Sequence, residues 1–397
     1  MKLRPALLII ITFWAGQAWG APSEAQLAKW LEQYPKADAN GDGKLTVDEA
    51  IAYRDKVKGG GKRNSGRGAR TDFKVDPGWQ AERFPDHAMC YRTPEELKSA
   101  YPKIVSFEKP ADGGLRIVGT GHSFMVPGYR TLPAICRAAG FEQPLHTHTS
   151  GGMTGSARYK WEQENGIFQF DGKPQPKLLA SIANAEWDAM MWGPYFKDRP
   201  EYYSCWIDFC LKYHPEMKFY LSDAWPSLRQ LDKMPASEDE LTVDLFRQLG
   251  DEKQASYVEF IGKLNQDYPG KVFVLPTSEA MILAVEHFHR GELPGIQGIH
   301  RSVGKKERSL WRDPLGHLGP GFDRLEGYVF YATLYGRSPE LIEKEISGSG
   351  QGGFPNRELD RAFRKIAWQA VINNPLSGVT DADGDGIGDN LVSKPKK

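Results

Sequence analysis

The sequence predicts an α/β fold: a doubly wound parallel sheet of about five strands flanked by helices, with a small helix-loop-helix unit ahead of it. Strand-like runs fall at 115–119, 145–149, 187–192, 218–221 and 271–275. Helical stretches alternate with them at 129–139, 177–183, 201–213 and 238–268. Apolar strands that alternate with helices build parallel sheets buried on both faces, because each crossover helix covers one face. Tyr268-Pro-Gly then stops the long helix and turns the chain into the Val-Phe-Val strand at 272–274.

The bulk figures agree. A chain of 397 residues holds one large α/β domain, commonly ~200–250 residues, with appendages. Lys+Arg and Asp+Glu both number 51, so net charge gives no reason to expect nucleic acid as a partner. The N-terminus reads as an export signal over 1–20. Lys2 and Arg4 form its positive region, 6–14 is apolar, and Ala18-Trp-Gly supplies small residues for cleavage. That apolar run falls short of the ~20 residues a spanning helix needs. A secreted or periplasmic protein with no membrane span is expected.

Export permits disulfides. Cys90, Cys136, Cys205 and Cys210 allow three full pairings. Cys205 and Cys210 lie five apart in a helical stretch, ~140° and ~7.5 Å from each other, too far to pair inside a regular helix. A break in the helix, bonds to Cys90 or Cys136, and free buried thiols are the alternatives.

Two amphipathic stretches, 23–34 and 47–58, flank the loop at 38–49 within a unit at 21–58. Asp38, Asn40 and Asp42 stand at loop positions 1, 3 and 5, with Gly43 at the turn. The Lys44 carbonyl, Thr46 and Glu49 follow at 7, 9 and 12. This spacing of hard oxygen donors resembles the EF-hand, which implies structural calcium. A glycine-rich basic linker at 59–71 leads into the main domain at 72–375. The tail at 376–397 again spaces carboxylates two apart at Asp381, Asp383 and Asp385, with Asp389 beyond; Val392 stands where an EF-hand has its closing Glu. It resembles one thrombospondin type 3 repeat, a calcium loop without flanking helices. A flexible acidic tail is the alternative.

The chemistry gathers at the predicted carboxyl ends of the strands, where open parallel sheets bind ligands. Ser123 lies just past the first strand, in the sequence IVGTGHSF at 117–124, and Ser150-Gly-Gly past the second. Trp192-Gly-Pro follows the third, and Asp313-Pro-Leu-Gly-His317 precedes a helix at 324–335. A serine hydroxyl attacks a carbonyl only with a base beside it, and the base needs an orienting partner. Ser123, His317 and Asp313 supply the three. Trp192, Tyr195 and Trp225 are expected near the crevice as faces for a sugar, and His122 and His148 as further lining groups.

This order of motifs, over roughly 115–337, resembles the SGNH/GDSL hydrolase superfamily. The Phe-Tyr-Ala at 330–332 and Leu-Tyr-Gly at 334–336 resemble the closing helix of a secreted bacterial branch. The resemblance implies a flavodoxin-like sheet and an esterase that forms an acyl-enzyme, often on acetylated polysaccharide. By position it implies Ser123 as nucleophile, His317 as general base and Asp313 as its orienting carboxylate. The Ser123 and Gly152 (or Gly151) backbone N–H groups would make the oxyanion hole. No cofactor is implied for catalysis, and the implied partner is an ester-bearing small molecule or polysaccharide.

The chain departs from the family pattern in three places. His122 replaces the acidic or amide residue before the nucleophile. The turn after the third strand has no Asn, which leaves the Gly193 N–H or Asn184 as third oxyanion donor. The Asp-to-His spacing is one residue longer. His146 and His148, alternate on a strand, could instead form a metal site with His122 and Asp188, although Asp188 reads better as a cap on the third strand. The rival readings of the whole chain are a catalytically silent glycan-binding protein on the same fold and a calcium-dependent scaffold.

Overall fold

The computed structural model describes residues 24–47, 49, 50, 53, 92–149, 158, 159, 162, 163, 175–193, 200–348, 350 and 353–389. The expected export signal, the basic linker, Cys90, the 150–152 turn and Tyr195 lie outside them. The chain divides into two compact units, Met1–Gly68 and Ala69–Lys397.

In the first unit, α1 (Glu24–Gln33) passes through a short 3-10 turn, Pro35–Ala37, into the acidic loop, and helix resumes at 47. Leu27, Ala37 and Leu45 are buried under Trp30, Leu31, Tyr34, Val47, Ala50 and Tyr53. The apolar stripe of each amphipathic stretch therefore closes on the other around the loop.

The second unit is built on β1 (Ile117–Gly121), β2 (Leu145–Thr149), β3 (Ala189–Trp192), β4 (Lys218–Ser222) and β5 (Val272–Leu275). They form one sheet in the order β2-β1-β3-β4-β5, every neighbouring pair parallel. This is the flavodoxin-like order, and its strand direction of travel reverses between β1 and β3. Alternate residues feed two separate cores. Ile117, Ala189, Met191, Tyr220 and Leu275 enter one; Val118, Met190, Trp192, Phe219, Leu221, Val272 and Val274 enter the other. Burial of both faces is why β3, β4 and β5 read as largely apolar rather than alternating, whereas the edge strand β2, Leu-His-Thr-His-Thr, is only partly buried.

The longer helices are α2 (Pro94–Ala100), α3 (Val126–Ala138), α4 (Lys177–Asn184), α5 (Pro200–Tyr213), α6 (Val243–Asp267), α7 (Thr277–His289), α8 (Phe322–Tyr335) and α9 (Arg357–Asn373). The expected helix at 238–268 starts only at Val243, because Thr242 caps it by accepting from the Leu245 N–H. A short parallel pair, β6 (Gly298–His300) and β7 (Ser309–Trp311), was not expected; nor were α7 and α9. No helix among the described residues is long and apolar enough to cross a membrane.

The tail is not a loose acidic strand. The Ser338 N–H donates to Gly386 O, the Gly388 N–H to Gly336 O, and the Trp368 indole N–H to Asp381 Oδ2 at 3.0 Å. Cys136, Cys205 and Cys210 are buried and not bonded to one another. Burial raises all three thiols, which keeps them protonated and unreactive.

The carboxyl ends of β1 and β3 are drawn together by small residues. Tyr129 Oη on α3 lies 2.9 Å from Thr120 O and 2.7 Å from Met191 O, bridging the two strands. Its ring occupies the space above Gly119, where a Cβ would sit 2.7 Å away. Gly121 has φ +127°, and a Cβ there would lie 2.8 Å from both Gly193 O and Met125 Cγ. Backbone on one side and a buried side chain on the other leave no room to yield. Gly121→Ala is therefore expected to cost ~1–3 kcal/mol of stability, read as a lowered urea midpoint with unchanged slope.

Candidate active site

Ser123 sits in a four-residue turn, 122–125, between β1 and α3, and the turn explains its exposure. The Met125 N–H donates to His122 O at 2.9 Å and the Phe124 N–H to His122 Nδ1 at 3.2 Å. The imidazole of His122 thus does for this turn what a short polar side chain does at a helix cap. Among the described residues no acceptor takes the Ser123 N–H. That donor stands beside its own hydroxyl at the amino end of α3, where the helix dipole is positive.

His317 and Asp313 come from the loop after β7. The Gly316 N–H closes on Asp313 O at 2.9 Å, while the Leu315 and His317 N–H groups donate to Asp313 Oδ1 at 3.0 and 3.3 Å. Gly316 takes φ +90°, which absorbs the extra residue between carboxylate and imidazole. The loop is then pinned by Arg312 N–H to His317 O and by Gly319 N–H to Leu310 O.

The two segments meet. His317 Nε2 lies 2.9 Å from Ser123 Oγ, and His317 Nδ1 lies 2.8 and 3.0 Å from the Asp313 oxygens. An ionised carboxylate only accepts, so Nδ1 carries the proton and Nε2 presents its lone pair to the hydroxyl. Burial works to raise the Asp313 carboxyl. Hydrogen bonds and charge from His317, with Arg312 Nε 3.4 Å away, outweigh it and hold the group below its usual range. Asp313 therefore stays ionised wherever an esterase would work. Such an arrangement can take a proton from an alcohol, return it to a leaving group, and stabilise the imidazolium between.

Several expected lining residues sit elsewhere. Trp192 is fully buried, stacked on Tyr203 with centroids 5.4 Å apart, and edge-on to Phe219. It is a core residue because β3 is covered on both faces. Trp225 is 1% exposed and lies under the 313–317 loop, its indole N–H donating to Gly316 O. Neither ring offers a face to a sugar. Asn184 is not an oxyanion donor: its amide donates to Ala180 O and Pro94 O. Gly193 has φ +104° and sets its carbonyl against Gly121, two residues before Ser123.

The alternative metal site does not form among the described residues. Asp188 is taken by Arg116, which donates to both its oxygens at 3.0 Å. His146 is buried against Trp187. His148 Nδ1 pairs with fully buried Glu162 at 2.7 Å, and Glu162 also accepts the Leu178 and Leu179 N–H groups at the start of α4. Burial lowers the His148 pKa, against the pull of Glu162.

Among the described residues, three acidic side chains converge in the tail loop and not in the loop at 38–49. In the first loop Glu49 accepts from Ala39 N, Asn40 N, Thr46 N and Thr46 Oγ1, and Asp38 from the Gly41 and Gly43 N–H groups, so these carboxylates fold onto the loop's own backbone. Gly43 takes φ +79° at the sharp turn. In the tail, oxygens of Asp381, Asp383 and Asp385 all lie within 4.8 Å of one another. Asp389 accepts from the Ala382 N–H.

No protein-family model matches the chain, and no curated protein matches it. Among solved structures, a DUF4886 family protein from Bacteroides uniformis is 14% identical with a TM-score of 0.44, over 65% of this chain and 95% of its own. A Bacteroides fragilis protein, named provisionally as an acylhydrolase, is 11% identical with a TM-score of 0.24, over 47% of this chain and 77% of its own. At these values neither likeness bears on the chemistry.

Proposed function

We propose that this chain is an exported serine esterase of SGNH type. The observation that carries the reading is the unbroken hydrogen-bond path from Asp313 through His317 to the exposed hydroxyl of Ser123. Ser123 Oγ attacks the ester carbonyl as its proton passes to His317 Nε2. The tetrahedral oxyanion is held by the Ser123 N–H, with Gly193 and Gly152 as the other candidate donors, each such donor typically worth ~3–4 kcal/mol. Collapse breaks the ester C–O bond, and the imidazolium protonates the departing alcohol. Water then attacks the acyl-enzyme carbonyl, giving its proton to His317, and the acid leaves as Ser123 recovers its own.

An acylated, in particular acetylated, carbohydrate is the proposed substrate class. Two of the three rings expected to hold a sugar are buried, so this class rests on the family resemblance and not on a visible aromatic platform. The same burial removes the main support for a silent glycan-binding protein. The chemistry of Ser123 does not depend on which alcohol leaves.

We further propose structural calcium at both acidic loops. Hard carboxylate, amide and carbonyl oxygens suit Ca²⁺. Asp38, Asn40, Asp42, Lys44 O, Thr46 and Glu49 would hold it in the first unit, and Asp381, Asp383, Asp385 and Asp389 in the tail. Because the tail loop is tied to 336–338 and Trp368, an ion there would brace the main unit.

Ser123→Ala is expected to reduce turnover of p-nitrophenyl acetate at least ~10³-fold, and Asp313→Asn by ~10²–10⁴-fold through the wrong imidazole tautomer. Turnover in Ser123→Ala equal to that of the parent sinks the esterase reading. For the metal, calorimetry should find two Ca²⁺ sites, one lost in Glu49→Gln and the other in Asp381→Asn. At 100-fold excess over Kd, the ion bound in the tail should stabilise its unit by about 2.7 kcal/mol against chelator. Heat of binding that survives both substitutions contradicts the assignment.

A further inference from the structure

The residue left over from the sequence reading, Trp225, touches both halves of the candidate site. Its indole N–H donates to Gly316 O, the residue between Asp313 and His317 at left-handed φ. Its ring stacks on Phe124, centroids 4.8 Å apart and planes 28° apart. Phe124 follows Ser123 in the turn and presents an edge to the His317 ring, at 5.4 Å and 88°. One side chain thus holds the base's loop by a hydrogen bond and the nucleophile's turn by ring contact.

Trp225 is itself fixed from behind. Lys253 Nζ on α6 donates to Trp225 O at 2.9 Å. Two residues on, Ser227 and Gln230 cap a short turn, and Gln230 Nε2 reaches Leu249 O on the same helix at 2.9 Å. On the sheet side, Asp223 at the end of β4 is buried and accepts from Thr277 Oγ1 and the Ser278 N–H at the start of α7. Burial lowers Lys253 to about 8 and raises Asp223 to about 7, as expected for charged groups taken out of water. Ala224 between them takes φ +50°, a conformation L residues adopt only when the surroundings enforce it. The shelf at 223–230 is over-determined.

We propose that Trp225 is a positioning residue, a strut that sets the distance between the Ser123 hydroxyl and the His317 ring by gripping both of their loops at once. The proposal rests on the esterase reading above. Misplacement of a catalytic group by ~1 Å can cost 10²-fold in rate, whereas loss of one neutral hydrogen bond costs only ~1 kcal/mol of stability. A strut therefore predicts a rate defect out of proportion to any loss of stability.

The test is Trp225→Phe beside Ser123→Ala. Trp225→Phe keeps an aromatic ring against Phe124 but lacks the N–H donor. With p-nitrophenyl acetate its kcat is expected to fall ~10–100-fold while KM stays within about twofold and the thermal midpoint shifts by no more than ~4 °C. If that variant does not fold, benzothienylalanine at 225, the same size without the N–H, takes its place. Unchanged kcat in the variant, with Ser123→Ala inactive, overturns the strut and leaves the esterase reading standing. A second readout needs no turnover: the low-field proton resonance of the His317–Asp313 hydrogen bond, identified by its loss in His317→Ala. The strut predicts that Trp225→Phe shifts or broadens it; an unmoved resonance overturns the proposal even if the protein is not an esterase.

Discussion

A hydroxyl at residue 123 can meet an imidazole 194 positions further along only if β1 delivers it to the rim of the sheet and the last loop folds back over the same rim. The close approach of β1 and β3 meets the first condition. Gly119 admits the Tyr129 ring, and Gly121 admits the carbonyl of Gly193, so the strand ends at a backbone-to-backbone contact and the chain must turn outward. Strand order reverses at this point, where helices lie on opposite faces and leave a crevice between them. The turn that begins there is closed by His122 and leaves Ser123 exposed.

The second condition is met by the packing of α8 against α3. Glu326 on α8 is buried and accepts the Gly128 N–H at 2.8 Å, satisfying one of the free donors in the first turn of α3. Burial raises its carboxyl well above the ordinary range, against the Gly128 N–H, which favours the charged form. Gly128 and Gly327 let the two helices approach closely, each making room for side chains of the other: the Phe330 ring lies over the first, Thr131 and Ile135 over the second. The loop that carries His317 leads directly into α8, so the helix contact and the Ser123–His317 contact share one rigid frame. Trp225 supports that frame from below.

Much of this was legible in the residues. Strands and helices alternate strongly enough to predict the parallel sheet, and a serine in a glycine turn with Asp and His on one late loop predicted the meeting of Ser123, His317 and Asp313. What the sequence hid was burial. Trp192 and Trp225 look alike as exposed platforms or as core, since an indole serves either use; only the sheet order shows that helices cover both faces at Trp192. Asn184 had the right chemistry for an oxyanion donor, but its position at the end of α4 lets it satisfy backbone carbonyls nearby. The helix at 357–373 was missed although it has a capping Asn356 and a strong apolar stripe. Asp360, Arg364 and Arg324 pair inside the core there, and charges so placed in sequence read as surface. The tail's docking was hidden for a related reason: two of its contacts are backbone pairs with 336 and 338, which carry no side-chain signal, and a third comes from Trp368 on the helix that was missed.

The central claim is that the Ser123 hydroxyl is made nucleophilic by His317. It is tested most directly by treating the purified protein with a fluorophosphonate and mapping the adduct by mass spectrometry in parent and His317→Ala. The account predicts a single phosphonylated residue, Ser123, in the parent and little or none in the variant. Labelling at another residue, or equal labelling of Ser123 without the imidazole, would contradict it.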